Sequence, residues 1–224
     1  MIILNFHGVG PLVREVDAGE HDCWLDTEHF EAILDRIRGN DQVLITFDDG
    51  NLSDYEIALP ALLKRGMNAQ FFICTGRLGK PTFLDAAHLC EMHSKGMGIG
   101  SHGVNHRPWR KLGLAELREE TAGSREILSS ICGESIGMAA CPFGSYDRRV
   151  LKALRGAGYG SVFTSDGGHC AANGWLLARN TMKRSLSMDQ LDLILNRSAL
   201  PSRRLIHGIR TALKRFRPAP SGLD

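Results

Sequence analysis

Two pairs of side chains stand out by type and spacing. Asp48 and Asp49 follow one another directly after the apolar run QVLITF and precede Gly50. Adjacent carboxylates repel, and neighbouring side chains on a strand diverge, so a shared cation or a division of labour is needed to justify both. One can bind a cation while the other stays free as a base. An Asp-Gly turn followed by a helix cap at Asp54 explains the same letters without chemistry. His102 and His106 lie four apart in SHGVNHRPW. On a helical turn that spacing puts both imidazoles on one face, suited to one metal ion. With nine histidines in the chain, such spacings also arise by chance. Joined to one carboxylate, however, the pair supplies three protein ligands and leaves a position for water. That is the catalytic rather than the structural type of metal site.

Bringing these residues together requires a scaffold, and the sequence describes one. Short β-branched or aromatic runs occur at 2–6, 42–47, 69–75, 97–101, 137–141, 160–164 and 175–179. Amphipathic stretches predict helices over 27–37, 54–65, 84–94, 114–131 and 148–157. Thr27 and Asp147 are suitable N-caps, and Gly66, Gly96 and Gly158 suitable helix stops. Strand-helix alternation implies parallel strands with helical crossovers, closed into a barrel or left as an open sheet. In both forms ligands gather at the carboxyl ends of the strands. The polar candidates fall there: His7 after the first strand, Asp48 and Asp49 after the second, Ser101 and His102 after the fourth. Pro142-Phe143-Gly144 follows the fifth and Asp166 the sixth.

Bulk composition agrees with a soluble enzyme-sized domain. The chain has 224 residues, 43% of them hydrophobic and 23% charged. A net charge of +2 gives no reason to expect a nucleic-acid partner. Its distribution is uneven: residues 202–224 carry six Lys/Arg against one acid, and residues 1–201 carry a net −3. The division expected is a catalytic domain over 1–201 and a basic amphipathic tail over 202–224. The N-terminal run lacks the basic flank and length of a signal peptide, and no later run suits a membrane helix. Six scattered cysteines without a C-x-x-C pair read as reduced thiols. The expected address is cytoplasmic, at or near the inner membrane surface.

The order TFDDG, SHGVNH, PFGSYD resembles the polysaccharide deacetylase family, carbohydrate esterase family four, from FHGVG near the N-terminus to about Thr181. The resemblance implies a distorted (β/α)7 barrel and hydrolysis of an N-acetyl group from an amino sugar or polysaccharide. It implies Asp48 as general base, and Asp49, His102 and His106 as ligands of a divalent metal. Zinc is the first choice, with cobalt, manganese or nickel as substitutes. Pro142, Phe143 and Gly144 would wall the groove, with the Phe143 N–H on the oxyanion. The implied partner is an N-acetylated glycan or lipid-linked amino sugar.

The sequence departs from the family pattern in two places. The Arg that precedes the third motif is replaced by Ala139-Ala140-Cys141. Arg179 at the end of the seventh strand is a substitute, against the plainer reading of an exposed structural Arg. The late Leu-x-His motif, source of the general acid, matches only Leu205-Ile206-His207 in the basic tail. His7 is the better acid, as in members whose motif order is rearranged. Trp109 and Trp175 are candidates for stacking on sugar faces, and Asp166 for shaping the groove. In the tail, Leu205, Ile209, Leu213 and Phe216 have helical spacing between basic residues. That pattern suits a docked helix or a peripheral contact with an anionic membrane. Three functional readings follow: an N-acetyl sugar deacetylase, a hydrolase of another linear amide such as a ureide or formamide, and a degenerate glycan-binding protein.

Overall fold

The computed structural model describes residues 1–16 and 19–196, with Lys214, Phe216 and Arg217. Eight strands form one sheet: β1 (Ile2–Phe6), β2 (Val43–Asp49), β3 (Ala69–Ile73), β4 (Gly98–Ser101), β5 (Met138–Ala140), β6 (Ser161–Thr164), β7 (Leu176–Ala178) and β8 (Asn180–Thr181). Their order is β7-β6-β5-β4-β3-β2-β1-β8, and every pairing is parallel. β7 pairs with β6 while β8 pairs with β1, and only Arg179 separates the two. They therefore act as one stave split at Arg179, and the sheet is a nearly closed (β/α)7-type barrel. The expected seven staves are present; the split of the last is new.

Among residues 1–16 and 19–196, seven α-helices cover the outside: α1 (Thr27–Ile37), α2 (Leu59–Lys64), α3 (Ala86–Ser94), α4 (Leu114–Arg118), α5 (Ser124–Cys132), α6 (Arg148–Gly156) and α7 (Met188–Leu195). α1 buries Phe30, Ile33, Leu34 and Ile37, the stripe its period demands. Its N-cap is Asp26, which accepts from the His29 N–H at 2.7 Å, and not Thr27 as the sequence suggests. Asp147 does cap α6, through the Val150 N–H at 2.9 Å. Two expected helices are interrupted by π turns, Asp54–Ala58 before α2 and Glu119–Gly123 between α4 and α5. In the first case Pro60 lacks the N–H that a continuous α-helix would bond to Glu56.

Two apolar bodies fill the fold. The larger lies between sheet and helices, where Phe6, Phe47 and Phe71 stack in sequence at 5.3 and 4.7 Å. The smaller, Ile3, Phe72, Ala140, Phe163 and Leu177, plugs the lumen. Above the plug the inward positions turn polar, with Asn5, Thr46, Asp48 and Arg179 all buried. Among the described residues no helix is long and apolar enough to cross a membrane, and all six cysteines are free.

Candidate active site

The polar layer begins with Arg179, which is 0% exposed rather than a surface residue. Its Nη1 and Nη2 donate to Asp48 Oδ1 and Oδ2 at 2.7 and 2.8 Å, a bidentate fork. Nη1 also donates to Asn5 Oδ1 at 2.7 Å, and the Asn5 amide donates to Asp48 Oδ2 at 3.0 Å. Thr46 Oγ1 in turn donates to Asn5 Oδ1 at 2.7 Å. The register Asn5↔Thr46 places these two side by side, directly beneath Asp48. Burial alone would raise the Asp48 carboxyl. The charges of Arg179, His102 and His7 and the Arg179 hydrogen bonds outweigh it and hold the group well below the usual carboxylate range.

Asp49 reaches the same centre because its backbone is left-handed, φ 79°. Strand pleat would otherwise send it away from Asp48. Its Oδ1 lies 3.2 Å from His106 Nε2 and 3.8 Å from His102 Nε2. The ligand atoms of Asp49, His102 and His106 all fall within 4.8 Å of one another. The spacing of the two histidines does not come from a helical turn: no helix joins them, and His106 has φ 52°. The loop is shaped from outside instead. Glu120, buried in the second π turn, accepts from the Val104 and Asn105 N–H groups at 2.8 and 3.0 Å. Gly103 has φ 83°, and a Cβ there would lie 2.4 Å from the Glu120 carboxylate. Phe143, the third left-handed residue at the site, has φ 56° and is 55% exposed; its ring packs on His106 in a tilted arrangement, centroids 4.4 Å apart. Such strain gathers where function over-determines the backbone.

Whether these donors fit a metal can be judged from their free valences. His102 Nδ1 faces the Ala140 carbonyl at 2.9 Å and must carry the ring proton, leaving the Nε2 lone pair toward the two aspartates. Burial pushes His102 down to about 4, so the ring is neutral at physiological pH. Asp49 Oδ2 is buried with no hydrogen-bond partner. Burial opposes its ionisation, but His106, His7, His102 and Arg77 hold it below its ordinary value. An ionised carboxylate with an orphaned oxygen beside two imidazoles fits a borderline divalent ion such as zinc. Cys74 is a neighbour, 4.0 Å from Asp49 Oδ1, but burial pushes its thiol well up and leaves it a poor ligand.

His7 stands at the rim with its Nε2 3.9 Å from Asp48 Oδ2 and its Nδ1 buried without a partner. Asp166 accepts from Tyr146 at 2.6 Å, from Thr164 at 2.9 Å, and from Lys214. It is a fixed carboxylate rather than a loose turn residue. Trp109 is 0% exposed and offers no ring face to a sugar. Trp175 is no better placed, since the Arg155 guanidinium lies over its ring at 4.0 Å. His207 lies outside the described residues. Sequence reasoning passed over Asn5, Arg77 and Glu120. A polar residue inside the apolar run IILNF was a usable signal for Asn5; the other two carry none.

Comparisons with known proteins follow this geometry. Residues 35–162 match the family model described as polysaccharide deacetylase. The chain is 30% identical over 146 residues to "Putative polysaccharide deacetylase YxkH" of Bacillus subtilis, covering 65% of this chain and 52% of that one. It is 24% identical over 163 residues to a chitin deacetylase of Arthroderma benhamiae, covering 70% and 43%. It thus spans about half the length of the curated relatives it matches. Among solved structures it superposes on the Streptococcus pyogenes deacetylase PplD with TM-score 0.76 and 23% identity, covering 88% of this chain and 98% of that one. A Bacillus cereus polysaccharide deacetylase gives 0.77 and 19%, over 87% and 68%. The segment matched by the family model contains Asp48, Asp49 and both site histidines. Asn5, His7 and Arg179 lie outside it.

Proposed function

The chain belongs to the polysaccharide deacetylase family, and on that footing we propose that it hydrolyses the N-acetyl group of an amino-sugar residue in a glycan, releasing acetate and a free amine. In this reading Asp49, His102 and His106 hold a divalent metal, zinc by the nature of the donors. The observation that carries it is the meeting of those three side chains within 4.8 Å beside a second, separately clamped carboxylate.

When bound, the ion supplies a water of lowered pKa, ~7, and a Lewis acid for the amide carbonyl. Asp48 is the base. Of its roughly four acceptor positions, three are filled by Arg179 and Asn5, which leaves one on Oδ1 for the proton of the attacking water. The Arg179 fork fixes that remaining lone pair in direction. As the carbonyl carbon becomes tetrahedral, the Phe143 N–H shares the oxyanion, a type of contact worth about 3–4 kcal/mol. His7 then protonates the departing nitrogen as the C–N bond breaks. The exposed Phe143 ring and the Pro142–Gly144 segment wall the groove that receives the sugar.

A degenerate binding protein was suggested by the absent motif Arg. The Arg179–Asp48 fork removes that argument, because a guanidinium orients the base from another stave. The basic residues of 202–224 support a peripheral contact with an anionic membrane, at the inner surface, which suits a lipid-linked substrate. The test of activity is acetate release from short N-acetylglucosamine oligomers with zinc or cobalt, beside His102→Ala and Asp48→Asn. Release by the parent and not by the variants is expected. Turnover of a formamide or ureide alone would move the reading to another linear amide. Metal uptake without turnover of any of these would return it to a binding protein.

A further inference from the structure

Arg77 extends its guanidinium to two of the three ligand side chains. Nη1 lies 3.4 Å from Asp49 Oδ1, and Nη2 lies 3.2 Å from His106 Nδ1. The group is not loosely placed. Its Cζ sits over the Phe83 ring at 5.1 Å, and Arg77 ends the 3-10 turn Thr75–Arg77 that follows β3. That turn is bonded to the histidine loop: the Thr75 N–H donates to the Gly103 carbonyl at 3.0 Å and the Gly76 N–H to the Val104 carbonyl at 2.9 Å. A Cβ on Gly76 would come within 2.7 Å of the Val104 oxygen, so the two loops touch along their backbones.

A guanidinium only donates. Toward Arg77, His106 Nδ1 is therefore the acceptor, and the ring proton belongs on Nε2, which faces Asp49 Oδ1 at 3.2 Å. Arg77, His106 and Asp49 thus form a close triangle, one edge a hydrogen bond and two edges ion-pair contacts, with a full positive charge at one corner. A metal taken up through His106 Nε2 needs the lone pair that this tautomer covers, and moving the proton to Nδ1 removes the acceptor that Arg77 uses. A metal taken up through Nδ1 displaces Arg77 directly. In both cases the ion also meets a permanent cation beside its carboxylate.

We propose that Arg77 is a built-in competitor of the metal: it keeps Asp49 and His106 assembled before uptake, gives up His106 when the ion enters, and holds metal affinity below what the ligand trio alone would provide. This rests on the metal-binding reading of the site. Zinc titration of the metal-free full chain tests it, with parent, Arg77→Met and Arg77→Lys compared by calorimetry and by unfolding temperature. Arg77→Met is expected to bind zinc about tenfold tighter, since a unit charge a few ångströms away is removed, and to unfold at a lower temperature than the parent only when metal-free. Arg77→Lys keeps the charge and is expected to stay close to the parent in affinity, which separates charge from a simple loss of packing. Equal or weaker zinc binding by Arg77→Met overturns the competition and leaves the metal reading standing. Absence of zinc uptake by all three chains overturns both.

Discussion

Asp48 and Asp49 are chemically identical neighbours, and their surroundings make them different. Both oxygens of Asp48 are satisfied by fixed protein donors, Arg179 and Asn5. One oxygen of Asp49 meets no donor at all. The first arrangement stabilises a lone carboxylate, while the second leaves a ligand valence open, and on this difference the proposed assignment of base and metal ligand rests. The fork makes Arg179 the most consequential side chain outside the ligand trio. Arg179→Met would leave buried Asp48 with Asn5 as its one side-chain hydrogen-bond donor and only the more distant His7 and His102 beside it, and loss of one partner from a buried pair costs about 3–5 kcal/mol. The expected result is a clear fall in unfolding temperature together with a drop in acetate release of about 100-fold, the scale of a misaligned catalytic group. Arg179→Lys keeps the charge without the fork and should fall between the two. Scanning calorimetry and the acetate assay decide it. An Arg179→Met chain as stable as the parent would mean that Asp48 draws its stabilisation from somewhere other than the fork.

At the scale of elements, the two π turns stand behind the site, and each carries a buried acid. Glu120 has a clear task, since it receives the N–H groups of the loop bearing His106. Asp54, at the start of the first π turn, is fully buried, with both carboxyl oxygens lacking a partner. Burial, then the charges of Asp49 and Asp48, push its pKa well above the ordinary carboxylate value. A carboxyl with a raised folded pKa contributes its stability at low pH and loses it as pH climbs through the folded value. Asp54→Asn removes the ionisation. Its unfolding temperature relative to the parent should therefore improve from pH 5 to pH 9, and a constant difference across that range would disprove the burden assigned to Asp54. Much at this scale was legible from letters. Apolar runs marked all seven staves, and the polar residues following them marked the rim where the candidate site gathers, because parallel strands end at one face. The helix stops at Gly66, Gly96 and Gly158 also hold, each with positive φ. Other features were illegible for a physical reason. The left-handed backbones of Asp49, His106 and Phe143 have no local signature, since none of the three is a glycine. A four-residue spacing between histidines looks the same whether a helix or a pinned loop produces it. Trp109 suggested a sugar platform, yet its environment, not its type, decided its burial. The split of the last stave at Arg179 depends on which strands lie on either side, and no local pattern records that.

The whole molecule is polarised along the barrel axis, with an apolar plug beneath and charge above. It is also polarised along the chain, because a body of net −3 precedes a tail of net +5. The described part of that tail engages Asp166 and Tyr146 near the candidate site. Lys214 donates to Asp166 and lies over the Tyr146 ring at 5.6 Å, while Phe216 is left 77% exposed. One tail cation is thus spent on the barrel itself. Arg203, Arg204, Arg210, Arg215 and Arg217 are the remaining basic side chains of the segment. Each basic residue near an anionic bilayer adds about 1 kcal/mol, and the attraction fades over a Debye length of about 10 Å at 0.1 M salt. Co-sedimentation of the full chain with vesicles rich in anionic lipid is therefore expected at low salt. It should be lost in 0.5 M salt, ~4 Å of Debye length, and with purely zwitterionic vesicles. Removal of 202–224 should abolish it as well. The same truncation deletes the Lys214–Asp166 pair, so acetate release from a soluble oligomer is the control that keeps membrane contact apart from damage to the rim. Equal vesicle binding by the truncated and full chains would move the contact away from the basic segment. Binding that survives high salt would replace charge with apolar insertion, for which Phe216 is the exposed candidate.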